Sequence, residues 1–186
     1  MSTVPSVSEA SGTTEGSAFE ALFVHVLQPT GAFALELAEA GFDPDWMQAR
    51  YPSAVWYRCL DIGRRHTFPG LPPAEGFRRL GQAFMEGYFR TLIGRVVSAA
   101  LPLYGLQRTL DRLPRVWKGT QPTTEVTVVK DGEHAWHVTL NSPGVIPEFS
   151  AGVLEAAAAP VGAKITVEVV TRSPLHCVLR VVRLRD

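Results

Sequence analysis

The sequence predicts an α+β domain: an N-terminal helical half packed on an antiparallel sheet with one inserted helix. Three observations predict it. From Tyr51 to Leu113 apolar residues recur at spacings of three and four, the period of a helix with one buried face. After Gly119 the pattern turns to strand-like runs, and Asp131-Gly132 lies between two of them as a two-residue hairpin turn would. An Ala-rich segment, Pro147 to Ala159, then separates that hairpin from two further strands. Helices followed by strands, rather than alternating with them, read as α+β.

The elements follow in order. Residues 1–17, rich in Ser, Thr, Gly and Glu, read as a disordered tail, and residues 18–186 as one domain, with 18–118 mainly helical and 119–186 rich in sheet. The run Phe19 to Leu27 is rich in strand-favouring residues without clean alternation and reads as a strand. A short helix spans Ala32 to Ala40 and closes at Gly41. Asp43 or Asp45 caps the next turn, with Pro44 at its start. A helix opened by Pro52 runs to about His66 and carries Val55, Cys59 and Ile62 on one stripe. After the break at Pro69, Gly70, Pro72 and Pro73, the main helix runs from Ala74 to about Ala100, with Phe77, Leu80, Phe84 and Tyr88 in line. Gly87, Thr91, Gly94 and Ser98 form a small-residue track along it, which close approach of another element would explain. A third helix covers Leu106 to Leu113 and ends near Pro114.

Strands Thr123–Lys130 and Glu133–Leu140 flank the Asp131-Gly132 turn, a register that sets Lys130 opposite Glu133 and Val128 opposite Ala135. A loop through Asn141-Ser142-Pro143-Gly144 leads to the inserted helix. The last strands, Ala163–Val170 and His176–Leu184, turn at Arg172-Ser173-Pro174, and Ile165, Val167 and Val169 share a face opposite Thr166 and Glu168.

Charge is segregated although eighteen bases balance eighteen acids. Residues 1–43 carry six acids and no bases, residues 44–118 twelve bases and five acids, and residues 119–186 six bases and seven acids. A partner surface is therefore expected in the middle segment. Overall neutrality argues against a dedicated nucleic-acid binder. The N-terminus has no secretory pattern, the longest uncharged stretch falls short of a membrane span, and Cys59 and Cys177 stand apart. A cytoplasmic setting is the expectation.

Several segments carry a resemblance. Tyr51-Pro52 with Trp56, Phe68-Pro69-Gly70-Leu71-Pro72, Phe77-Arg78-Arg79-Leu80-Gly81, Glu86 to Arg95, and Pro102 to Leu106 together resemble a family of uncharacterised myxobacterial proteins of about this length. The likeness covers roughly residues 19–185 and is weak in the sheet. It implies a fold outline and a bacterial cytosolic setting, and no mechanism. In element order alone, the chain is also similar to ligand-binding domains related to 4-vinyl reductase and to haem–nitric-oxide-associated modules. That likeness implies ligand sensing, although the cysteine-bearing C-terminal signature of the vinyl reductase type is not matched, since Cys177 is alone.

No residue pattern marks catalysis. His134 and His137, three apart on a strand, diverge rather than form a zinc pair, and His176 and Cys177 also diverge. His25 and His66 are single. No Gly-x-Ser-x-Gly, Walker or dinucleotide fingerprint is present. Catalytic and metal-binding residues are therefore expected to be none, and no cofactor is specified. Trp56, Phe68, Phe84, Tyr88 and Trp117 border the helical half and are the expected wall of a site for a small apolar ligand, with Arg95 added if the ligand is anionic. Arg108, Arg112, Arg115 and Lys118 are the expected partner surface.

The reading that follows is a non-catalytic regulatory module binding a small ligand, a protein partner or both, and dimeric through its Gly-rich helical face. A pure interaction or dimerisation domain with a solid core is the alternative. An enzyme would need polar groups such as Tyr88, Arg95 and His137 to converge.

Overall fold

The computed structural model describes residues 12–142 and 144–184; the tail residues 1–11, Pro143 of the expected loop and the last two residues lie outside the described residues. Within the segment expected as a tail, residues 13–15 form a strand. Thr13–Glu15 (β1) pairs antiparallel with Arg50–Pro52 (β2), and Thr14 is buried there beside Ser53. A short helix (α1, Gly16–Phe19) then continues as a π-helix through Glu20–Leu27.

The expected strand at Phe19–Leu27 is thus a helix. Its large buried residues, Phe19, Leu22 and Phe23, have helical spacing. Phe19 packs against Tyr51, Phe42 and Trp56 at ring separations of 4.3, 4.9 and 4.9 Å. Strand propensity is a weak prior, and this aromatic burial overrides it.

Helix α2 (Ala32–Glu39) is followed by a 3-10 turn, Pro44–Trp46, capped by the Asp43 carboxylate accepting from the Asp45 N–H. Helix α3 (Ser53–Thr67) buries Val55, Cys59 and Ile62 on one stripe. The expected long helix from Ala74 is two helices, α4 (Pro73–Tyr88) and α5 (Leu92–Lys118). Thr91 causes the restart: its hydroxyl accepts the Gly94 N–H at 3.0 Å as an N-cap while donating to the Tyr88 carbonyl. The small-residue track is split by that break. A Cβ on Gly87 would lie 1.7 Å from the Ala21 carbonyl oxygen, and one on Gly94 would lie 1.7 Å from that of Tyr88. The expected helix Leu106–Leu113 is set off from the first part of α5 by non-helical Gly105. It departs from the expectation only at its end: α5 kinks at Gly105 (φ 69°, ψ 171°), and its second stretch runs on through Pro114 to Lys118.

The sheet consists of β3 (Glu125–Lys130), β4 (Ala135–Asn141), β5 (Ile165–Arg172) and β6 (His176–Arg183) in the order β3-β4-β6-β5, all antiparallel. Helix α6 (Pro147–Ala158) is inserted between β4 and β5. The β3–β4 register differs from the two-residue turn: Val128 faces Val138 rather than Ala135, and Lys130 faces Trp136 rather than Glu133. The loop is longer, closed by the Asp131 N–H donating to the Ala135 carbonyl. The expected register would have turned Trp136, Val138 and Leu140 outward, whereas all three are buried. Val128, Val138, Leu179 and Val169 instead form one row across the four strands.

The sheet's buried face is covered by α5 on β3 and α6 on β5 and β6, while α4 crosses α6 on the far side. Gly81 and Gly152 set that crossing: a Cβ on Gly81 would lie 2.1 Å from the Phe149 carbonyl oxygen, and one on Gly152 would lie 2.0 Å from that of Arg78. Arg78 ties the layers together, pairing with Glu155 on α6 and donating to the Val167 carbonyl on β5 at 3.0 Å.

Candidate functional site

A cavity of about 290 Å³ lies where α4, α5 and α6 fail to close on one another. Trp56 of α3 and Phe84, Met85 and Tyr88 of α4 form one wall. Phe149, Val153 and Ala157 of α6 form a second, and Val97, Leu101, Tyr104, Leu113 and Trp117 of α5 close the third side. The cause is local. The α4–α5 break and the bend at Gly105 prevent α5 from lying flush on α4, and the Gly81–Gly152 crossing holds α6 at a fixed distance from α4.

The rings of the wall contact one another. Trp56 meets Phe84 and Phe149 edge-on at 6.0 and 5.9 Å, and Phe84 stacks on Tyr88 at 6.3 Å. Polar groups are few. The Trp117 indole N–H donates to Gln121 Oε1, which also accepts from the Thr124 hydroxyl. The Thr109 hydroxyl donates to the Gly105 carbonyl. The Trp56 indole N–H, by contrast, has no hydrogen-bond partner, although the residue is only 1% exposed. An unpaired buried donor of this kind costs about 1–3 kcal/mol. Burial also pushes the Tyr88 phenol above its ordinary pKa.

Of the expected ligand residues, Trp56, Phe84, Tyr88 and Trp117 lie together on this wall. Phe68 does not; it ends α3, where its N–H donates to the Arg64 carbonyl at 2.8 Å, and its Cβ lies beside Gly76, outside the cavity lining. Arg95 also points elsewhere, donating from Nε to the Arg90 carbonyl at 3.1 Å. Of the four expected partner residues, Arg108, Arg115 and Lys118 are exposed on α5 and make no ion pair with a described residue. Arg112 belongs to both groups, for it is exposed and also lines the cavity, which places it at the opening. Its guanidinium lies 3.8 Å from the centre of the Tyr104 ring. Tyr104, Phe149 and Val153 were not legible as site residues, because each sits on a separate segment with no pattern linking it to Trp56.

The polar trio does not converge. His137 lies on the solvent face of the sheet, near Asp131 and in line with Arg180, away from the wall that holds Tyr88. His66 pairs with Glu36 and stacks on Phe33. Cys59 and Cys177 are free, fully buried, and pushed up to about 12 by burial. Among the described residues no group of three or more His, Cys, Asp or Glu side chains is arranged to hold a metal ion.

The fold and this cavity define an α+β domain with an apolar, aromatic-walled chamber between its helical half and the helices covering the sheet. The chain belongs to the family described as "Protein of unknown function (DUF2378)", which matches residues 12–182. No curated protein matches it in sequence. In three dimensions it is similar to an H-NOX protein from S. oneidensis in the Fe(II)NO ligation state, at TM-score 0.68 and 17% identity over 92% of this chain and 99% of that one. It is similar also to the Fe(II) unliganded H-NOX protein from K. algicida, at TM-score 0.65 and 9% identity over 92% and 97%. A third similar structure comes from work on haem distortion in the H-NOX family, at TM-score 0.66 and 15% identity over 92% and 96%. The likeness in element order is thus a likeness of fold; at these identities it carries no ligand with it.

The wall does not fit a haem. All five histidines and both cysteines lie outside it. An iron-binding tyrosine must lose its proton, and burial pushes Tyr88 the other way. Tyr104 lies beneath Arg112, and Met85 has no histidine to share an iron with.

Proposed function

We propose that the protein is a non-catalytic regulatory module that binds a small ligand in the α4–α5–α6 chamber and signals occupancy through α5. The observation that carries this reading is that α5 does both jobs. One side of it walls the chamber with Leu101, Tyr104 and Trp117, and the other exposes Arg108, Arg115 and Lys118. A ligand pressing on the wall changes how α5 sits, and with it the spacing of three cations available to an acidic partner. No helix among the described residues is long and apolar enough to cross a membrane.

Native mass spectrometry of the freshly purified protein, followed by denaturing analysis, tests the reading. A stoichiometric extra mass that leaves on denaturation is expected. A bare protein that also binds nothing from a small-molecule library would sink it.

A second reading rests on the first half of α5. Leu92, Val96, Ala99 and Leu103 are exposed on one stripe with spacings of four, three and four. That is the seam of a helix pair and favours a protein–protein face, including a homodimer. Light scattering after size exclusion distinguishes a monomer from a dimer, and Val96→Glu should dissociate the dimer.

A further inference from the structure

The chemistry of the chamber narrows its ligand. An apolar cavity of roughly 150 Å³ holds benzene, so one of about 290 Å³ suits a body of about two fused rings. The wall favours a flat aromatic body over a flexible chain. Trp56, Phe84, Tyr88 and Phe149 line it with rings already held by their mutual contacts, so little side-chain entropy is lost when a ligand packs on them. A hydrocarbon alone leaves Arg112 unused. Arg112 stands at the opening with its guanidinium over Tyr104 and no carboxylate partner among the described residues. An acceptor oxygen is what Arg112 lacks, and a planar carboxylate matches a stacked guanidinium.

We infer that the chamber takes a small aromatic monocarboxylate, its ring system between Trp56, Phe149 and the α5 wall and its carboxylate at Arg112. The inference rests on the ligand-binding reading above and names its substrate class. Arg112 then links the chamber to the basic face of α5: neutralised by ligand, it removes one cation from the row Arg108, Arg112, Arg115 and leaves the others.

The test uses the full chain and two probes of equal shape, naphthalene-2-carboxylate and its neutral counterpart 2-acetylnaphthalene, with binding read by calorimetry. Haemin is titrated in parallel by its Soret band. Both probes are expected to bind, the carboxylate more tightly. Arg112→Gln should weaken the carboxylate roughly five- to tenfold and leave the ketone unchanged, while Arg112→Lys retains part of the preference. Ala100→Trp, filling the chamber from a half-exposed position on α5, should remove binding of both probes without loss of the helical circular dichroism. Equal binding of the carboxylate by wild type and R112Q overturns the assignment of Arg112. Stoichiometric haemin with a shifted Soret band overturns the ligand class. If neither probe binds but native mass spectrometry shows another small molecule, the ligand class fails and the regulatory reading stands; if neither probe, nor any adduct, nor any member of a small-molecule library binds, both fall.

Discussion

The guanidinium of Arg112 lies 3.8 Å from the centre of the Tyr104 ring, so that two residues on opposite sides of the Gly105 bend meet at the mouth of the chamber. In an unbroken helix those positions are about 12 Å apart along the axis. The bend brings them together, and it also opens the space that Trp56, Phe149 and Trp117 surround.

Gly105 holds φ 69° and ψ 171°, a region essentially reserved for glycine. A Cβ there would meet nothing within 4 Å, so the cost of Gly105→Ala is conformational and should be about 1–3 kcal/mol in urea unfolding. Gly70→Ala is the control, since that position is equally open without a left-handed φ, and its unfolding midpoint should hardly move.

The α4–α6 crossing should tolerate no side chain. Gly81→Ala and Gly152→Ala each drive a methyl into the facing helix backbone, at 2.1 and 2.0 Å from a carbonyl oxygen. Overpacking against backbone costs about 1–3 kcal/mol or more, seen as a lower melting temperature. The two losses should be less than additive, because either substitution alone spreads the same pair of helices.

Alkaline stability should depend on Tyr57. Its phenol is buried and donates or accepts at Ser142 Oγ, 3.3 Å away, and burial pushes its pKa above the ordinary value of 10.0. A group raised in the folded state stabilises fully below its unfolded pKa and loses that contribution as pH rises through the folded value. Stability should therefore fall above about pH 10. Tyr57→Phe should flatten that fall while costing about 1 kcal/mol at neutral pH for the lost hydrogen bond.

The thiols of Cys59 and Cys177, 0% exposed and pushed up to about 12, should be inert in the folded protein. Labelling with a disulfide reagent at pH 8 should proceed at the rate of unfolding and accelerate with sub-denaturing urea. Fast labelling of either thiol would show that its element opens locally.

Which parts of this architecture were legible in the sequence follows from the range of the interactions that make them. The stripe Val55, Cys59, Ile62 and the stripe Phe77, Leu80, Phe84 could be read from spacing, since a helix brings its own neighbours to one face. The inserted helix and the last two strands were legible for the same reason. Phe19–Leu27 was not, because Phe and Val suit strands locally and only contact with Phe42, Tyr51 and Trp56 makes the segment helical. The hairpin register was set by burial of Trp136, Val138 and Leu140, which outweighed the turn preference of Asp131-Gly132.

The sequence by itself determined the α+β class, the succession of helices, hairpin, inserted helix and final strand pair, and four of the residues that wall the chamber, through periodicity and glycine and proline breaks. Tertiary structure alone decided that those aromatics surround a space, that Phe68 and Arg95 stand outside it, and that Arg112 guards its mouth. The physical reason is that a cavity is a failure of three helices to close on one another. It depends on a cap at Thr91, a bend at Gly105 and a close crossing at Gly81 and Gly152, acting together across segments far apart in the chain.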